Sequence, residues 1–165
     1  MHPLIDNFQM RARYNSGANA RLYEACAQLD DIERKRIRQA YFKSIHGTLN
    51  HILVGDRIWL ARFKGREVPS TGLNAIVYND FAELRAARIA EDERIAEMTA
   101  GLTEEFLTGS ITYVNNQGRT LTDPVDLLIT HFFNHQTHHR GQIHDLLCQT
   151  AIAPPVLDLH RILRP

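Results

Sequence analysis

The sequence predicts an all-α fold, a four-helix bundle with a small β-hairpin-like insertion before the last long helix. Three observations predict it. Apolar residues recur at near-helical spacing over four long stretches. Residues that start or stop helices (Pro3, the Gly- and Pro-containing run 64–72, Asp123-Pro124 and Pro154-Pro155) punctuate them. Only between Phe106 and Leu121 does the pattern change to period two. With 165 residues the chain can form one domain, 1–165, with a substantial core.

The first helix is expected from Pro3, which suits a first turn, to about Leu29. Phe8, Tyr14, Ala18, Leu22, Cys26 and Leu29 form its apolar stripe. Gly17 weakens it locally and allows close packing. Asn15 and Asn19, one turn apart, read as a solvated face or a hydrogen bond within the bundle. Asp30 or Asp31 can cap a short helix, and Arg34-Lys35-Arg36 reads as solvated surface. The second long helix covers about Ser44 to Lys64, with Ile45, Leu49, Ile52, Leu53, Trp59, Leu60 and Phe63 facing the core. Asp56 lies on that apolar side. It can orient an imidazole or pair with an arginine from another helix.

A third helix is expected from about Asn79 to Ala100, with Phe81, Leu84, Ile89, Ile95 and Met98 as apolar contacts. Its charges alternate in sign, as on an exposed amphipathic helix. Ile111–Val114, a turn at Asn115–Gly118 and Arg119–Leu121 then read as the hairpin. The last long helix is expected to run to about Gln149. Asp123 would be its N-cap, Pro124 its first residue and Asp126 its capping-box acid.

Composition excludes several classes. Nineteen basic residues balance nineteen acidic ones, so no net field favours nucleic acid or a membrane surface. No apolar run approaches the roughly 20 residues of a membrane span, and the N-terminus lacks a signal-peptide pattern. Two cysteines, Cys26 and Cys148, do not make a disulfide framework; a reducing cytoplasm is the expected compartment.

Nine histidines stand out, five of them between Leu127 and Leu147. On a helix, His135 and His139 lie one turn apart on the side shared by Leu128, Phe132, Ile143 and Leu146. Imidazoles at i and i+4 can reach one ion. His131 is a third rung, but it stands about 12 Å along the axis from His139, too far to share an ion with it. His139 sits deeper in the stripe than His131, which favours the 135/139 pair. His138 is on the shoulder as a hydrogen-bond partner, and His144 faces outward. His135-Gln-Thr-His-His139 lacks the metalloprotease glutamate, so that mechanism is unsupported. The best third ligand elsewhere is His51, on the shoulder of its own stripe, with Gly55 one turn on leaving room beside it. His46 falls elsewhere and is expected to be exposed. On patterning alone, two readings stand side by side: a three-histidine metal site, and histidines satisfied by hydrogen bonds in or on a bundle.

The chain resembles the DinB-like (damage-inducible protein B) metal-binding proteins along essentially its whole length. The residues that carry the likeness are Tyr14-Asn15 with Asn19, Leu49-Asn50-His51 with Asp56-Arg57-Ile58-Trp59, and Asn134-His135-Gln-Thr-His138-His139-Arg140-Gly141-Gln142. The resemblance implies metal ligands at His51, His135 and His139, a bound divalent ion such as zinc or nickel, and a bundle with long crossover connections. Homodimers are common among such proteins, and by that analogy a homodimer is expected. The resemblance also implies, for some members, transfer of a low-molecular-weight thiol to an electrophilic substrate or isomerisation with the thiol's help; the alternative is a metal-binding or stress-response bundle without turnover.

Overall fold

A computed structural model describes residues 2–165. Four long helices form the bundle: α1 (Pro3–Ala27), α3 (Ile45–Phe63), α4 (Phe81–Ala100) and α6 (Val125–Leu147). Short helices α2 (Asp31–Lys35), α5 (Glu104–Leu107) and α7 (Leu159–Leu163) lie between and after them. Strands β1 (Ser110–Val114) and β2 (Thr120–Pro124) form the hairpin, paired antiparallel with Tyr113 opposite Leu121. Its turn closes through Gly118, whose φ of 76° suits glycine.

Most helix starts follow their local chemistry. Ser44 Oγ accepts from Gly47 N, Asp80 Oδ1 from Glu83 N and Asp30 Oδ1 from Glu33 N. The start of α6 differs from the expected capping box. Asp123 belongs to β2, where its carboxylate accepts the Tyr113 hydroxyl at 2.9 Å, and Pro124 is the cap residue, with no side-chain hydrogen bond. Asp123 pairs with Ile111 in the hairpin, and its carboxylate accepts from Tyr113 rather than capping α6.

α1 packs against α4 and α6, and α3 packs against the same two helices. The core divides into two apolar clusters. One holds Leu22, Leu49, Leu53, Leu84 and Ile143, the other Phe8, Leu60, Ile95, Ile129 and Phe132. Along α3 and α4 the chain passes from the first cluster to the second; along α1 and α6 it passes the other way. α3 and α4 therefore run parallel, and residues 64–80 must cross back along the bundle to join them.

A polar layer separates the clusters on all four helices. Gln136 Nε2 donates to Asp56 Oδ1 at 2.9 Å and Arg88 Nη1 to Asp56 Oδ2 at 2.5 Å. Arg88 also pairs with Asp92 at 2.9 Å, and Asp92 accepts from Asn15 and Asn19. Arg140 donates to the side-chain oxygens of Asn15 and Asn19. The two asparagines are thus bundle hydrogen bonders, and Asp56 takes the arginine pairing. The exposed reading of the third helix is corrected. Arg88, Glu91 and Asp92 are buried and Ile89 is exposed, because these charges find partners on α1 and α3. Close packing at Gly17 is present: a Cβ there would lie 2.6 Å from Ile162 of α7.

Candidate metal centre

The three histidines come together at the height of the polar layer. His51 Nε2 lies 3.2 Å from His135 Nε2 and 3.2 Å from His139 Nε2. His51 and His139 are buried and His135 is half-buried. Two features of the chain aim them. Gln136, beside His135, is tied to Asp56, one and a half turns along α3 from His51, so the polar layer sets how α6 is rotated against α3. Gly55 leaves space that the His135 ring fills; a Cβ at Gly55 would stand 2.9 Å from His135 Cε1.

Hydrogen bonds select the tautomers. His51 Nδ1 donates to the Leu73 carbonyl at 2.9 Å, from the segment that crosses back between α3 and α4. His139 Nδ1 donates to Gln142 Oε1 at 2.7 Å, while Gln142 Nε2 donates to His138 at 3.2 Å and so orients the amide. A neutral imidazole carries one N–H. With Nδ1 as donor, the Nε2 atoms of His51 and His139 face each other as two lone pairs, an arrangement repulsive without a cation between them. Burial, with some help from neighbouring imidazoles, holds His51 down to about 4 and His135 down to about 3, and lowers His139. A proton is therefore a poor bridging cation near neutral pH.

A divalent ion fits better. Nitrogens about 2.0–2.1 Å from a tetrahedral centre stand about 3.3 Å apart, and the separations of His51 Nε2 from the other two are 3.2 Å. The three histidines form the one group of three His, Cys, Asp or Glu side chains spaced to hold a metal ion among the described residues.

Other histidines stand apart. His131 is exposed and packs edge-on to Trp59, His138 is exposed, and His144 is half-buried. His46 corrects the sequence reading. It is 2 % exposed, and its Nε2 donates to the Tyr78 carbonyl at 2.8 Å, because the crossing segment covers that face of α3. Phe42 had no sequence signal beyond its place two residues before the Ser44 cap. Its ring stacks on His51 with centroids 3.7 Å apart and meets His139 edge-on at 5.5 Å. Lys43, at φ 68°, turns the chain so that Phe42 reaches the site.

A cavity of about 300 Å³ opens beside His51 and His135, bordered by Trp59 and Arg62 of α3, His131 of α6 and Tyr113 of the hairpin. Trp59, expected in the core, is half-buried and lines this cavity. A larger groove of about 450 Å³ between α1 and α4 contains none of the three histidines.

The fold and the site define a helical bundle with a histidine triad able to hold a metal ion at mid-height. The chain belongs to the DinB family, whose sequence profile matches residues 6–165. It is 27 % identical over 150 residues to Protein DinB of Bacillus subtilis, covering 88 % of this chain and 87 % of that protein. The crystal structure of a DinB-like protein from Bacillus cereus has the same fold, with a TM-score of 0.59 at 18 % identity over 84 % of this chain and 89 % of that one. Among the described residues no helix is long and apolar enough to cross a membrane.

Proposed function

We propose that the chain is a divalent-metal-binding protein in which His51, His135 and His139 each give one nitrogen to a zinc or nickel ion. We further propose that it is a metal-dependent enzyme acting on a low-molecular-weight thiol, in the manner of an S-transferase, and that it works in the cytoplasm as a homodimer. The observation that carries the metal reading is the pair of facing Nε2 lone pairs on His51 and His139, fixed by Leu73 and Gln142. Imidazole donors suit zinc and nickel alike.

Three protein ligands leave coordination positions for water or substrate. A bound divalent ion supplies Lewis acidity that makes a thiol a stronger acid and hence a better nucleophile near neutral pH. The protein's own residues do the rest. Leu73 and Gln142 hold two imidazoles with Nε2 inward. Phe42 covers one face of His51 against water. The cavity beside His51 and His135 has room for the second substrate.

The test has two stages. Metal analysis of gently purified protein should give about one divalent ion per chain, and His51→Ala, His135→Ala and His139→Ala should each lose it. Wild type that neither carries nor takes up zinc or nickel would end the metal reading. Metal-loaded protein is then incubated with bacillithiol, mycothiol or glutathione and a panel of electrophiles. Turnover above background that disappears in the histidine variants supports the transferase. Background rates throughout leave a non-catalytic metal-binding bundle.

A further inference from the structure

The cavity beside the histidines has a floor with its own periodicity. His51, Gly55, Trp59 and Arg62 follow one another on α3 at i, i+4, i+8 and i+11, a single helix face. His131 and His135 repeat at i, i+4 on α6 and form one wall. Tyr113 and Leu121 of the hairpin form the other.

Arg62, like the Asn-bound Arg140, has no carboxylate partner, whereas two other interior arginines do. Arg57 and Arg88 pair with carboxylates of α4 or α3. Arg62 has no acidic partner within 4 Å among the described residues. Its guanidinium lies 4.6 Å from the centroids of both Trp59 and Tyr113, so two aromatic faces hold its plane. Nη2 donates to the Val114 carbonyl at 2.9 Å, and Nε is buried without a partner. A guanidinium carries five N–H groups and always a charge. Here one donor is engaged and no protein anion balances the charge. The Asp123 carboxylate accepts the Tyr113 hydroxyl.

Helical side chains lean toward the N-terminus, and the position of Arg62 over Trp59, three residues earlier, follows that rule. The Arg62 side chain therefore reaches back toward His51. Eleven residues of rise separate the two Cα atoms by about 16 Å; Arg62 reaches back along this span while His51 leans the same way by less, which leaves roughly 10–13 Å between guanidinium and imidazole. That gap, the two aromatic rings and the half-polar rim suit an elongated small molecule with one anionic end.

We propose that this cavity binds a small carboxylate-bearing molecule, with its carboxylate on Arg62, its body along Trp59 and Tyr113 and its far end toward His51 and His135. Arg62 is then the residue that selects acids over neutral analogues. The inference rests on the metal reading only for the role of the far end; the grip on the carboxylate stands without it.

Trp59 is the chain's one tryptophan and lies in the cavity, so its fluorescence reports binding there. The probes are 4-phenylbutyrate and its neutral amide, titrated into zinc-loaded and EDTA-treated protein. A carboxylate on a guanidinium should bind about tenfold tighter than the amide, in both metal states. Arg62→Gln should abolish the preference and Arg62→Lys should retain part of it, with helical content checked by circular dichroism. Preference that persists in metal-free protein supports the inference even if the metal reading fails. Preference that survives Arg62→Gln but vanishes with EDTA places the carboxylate on the metal and overturns it. Equal affinity of acid and amide for wild type overturns it without recourse to any variant, as does no binding of either.

Discussion

Gly55→Ala separates the metal site from the fold more cleanly than removal of a ligand. Glycine inside a helix costs about 1 kcal/mol relative to alanine, so the substitution by itself should help α3. The added methyl, however, would sit 2.9 Å from His135 Cε1, where ordinary contact begins at 3.4 Å. The obstacle is the end of a half-buried side chain, which can swing away, and its retreat must be about 0.5 Å. Metal–ligand distances tolerate about 0.2 Å. The His135 nitrogen is therefore carried out of bonding range while the backbone stays in place. Zinc or nickel affinity, measured by competition with a chromogenic chelator, should fall by at least about tenfold. The melting temperature of the metal-free protein should hold or rise by about 2–4 °C. Affinity within twofold of wild type would refute the reasoning, because the site would then not need His135 where it stands. A metal-free variant that fails to fold would refute it too, since the clash would have fallen on backbone rather than on the ring.

Other outcomes follow from the layer and the shell around the site. Asp56→Ala leaves Arg88 buried beside Asp92 alone and should cost about 3–5 kcal/mol in urea unfolding; a loss below about 1 kcal/mol would mean the pair is not buried as described. Gln142→Ala removes the acceptor that fixes His139 Nδ1 and should weaken metal affinity about 10- to 100-fold, with little change in metal-free melting; unchanged affinity speaks against tautomer control. The metal-free protein should lose stability as pH falls from about 6.5. Unfolded histidines take up protons there, whereas folded His51 and His135, held by burial at about 4 and about 3, do not. The loss should be fully absent above that window and smaller in the His51→Ala/His135→Ala double variant; parallel pH curves for the two proteins would contradict it.

Much of this molecule can be read without its tertiary structure, and the reason is periodicity. The four long helices, the change to period two at the hairpin and the i, i+4 placement of His135 and His139 are properties of single elements. The sequence pattern also pointed to His51 as their partner and to the room beside Gly55, and the structure brings all these residues together. What one element faces depends on how helices rotate against one another, which no single stretch encodes. Thus the charges of α4 read as solvent-facing, although Arg88 and Asp92 join a layer shared by four helices. His46 read as exposed, although the segment crossing from α3 to α4 covers it. Asp123 read as a helix cap, although pairing with β1 draws it into a strand. The stacking of Phe42 on His51, the tautomers set by Leu73 and Gln142, and the acid-free Arg62 between two aromatic rings arise only where separate elements meet. Spacing along α6 determined that His135 and His139 could share an ion; packing between helices brought His51 to them and decided their protonation, their covering and the cavity they face.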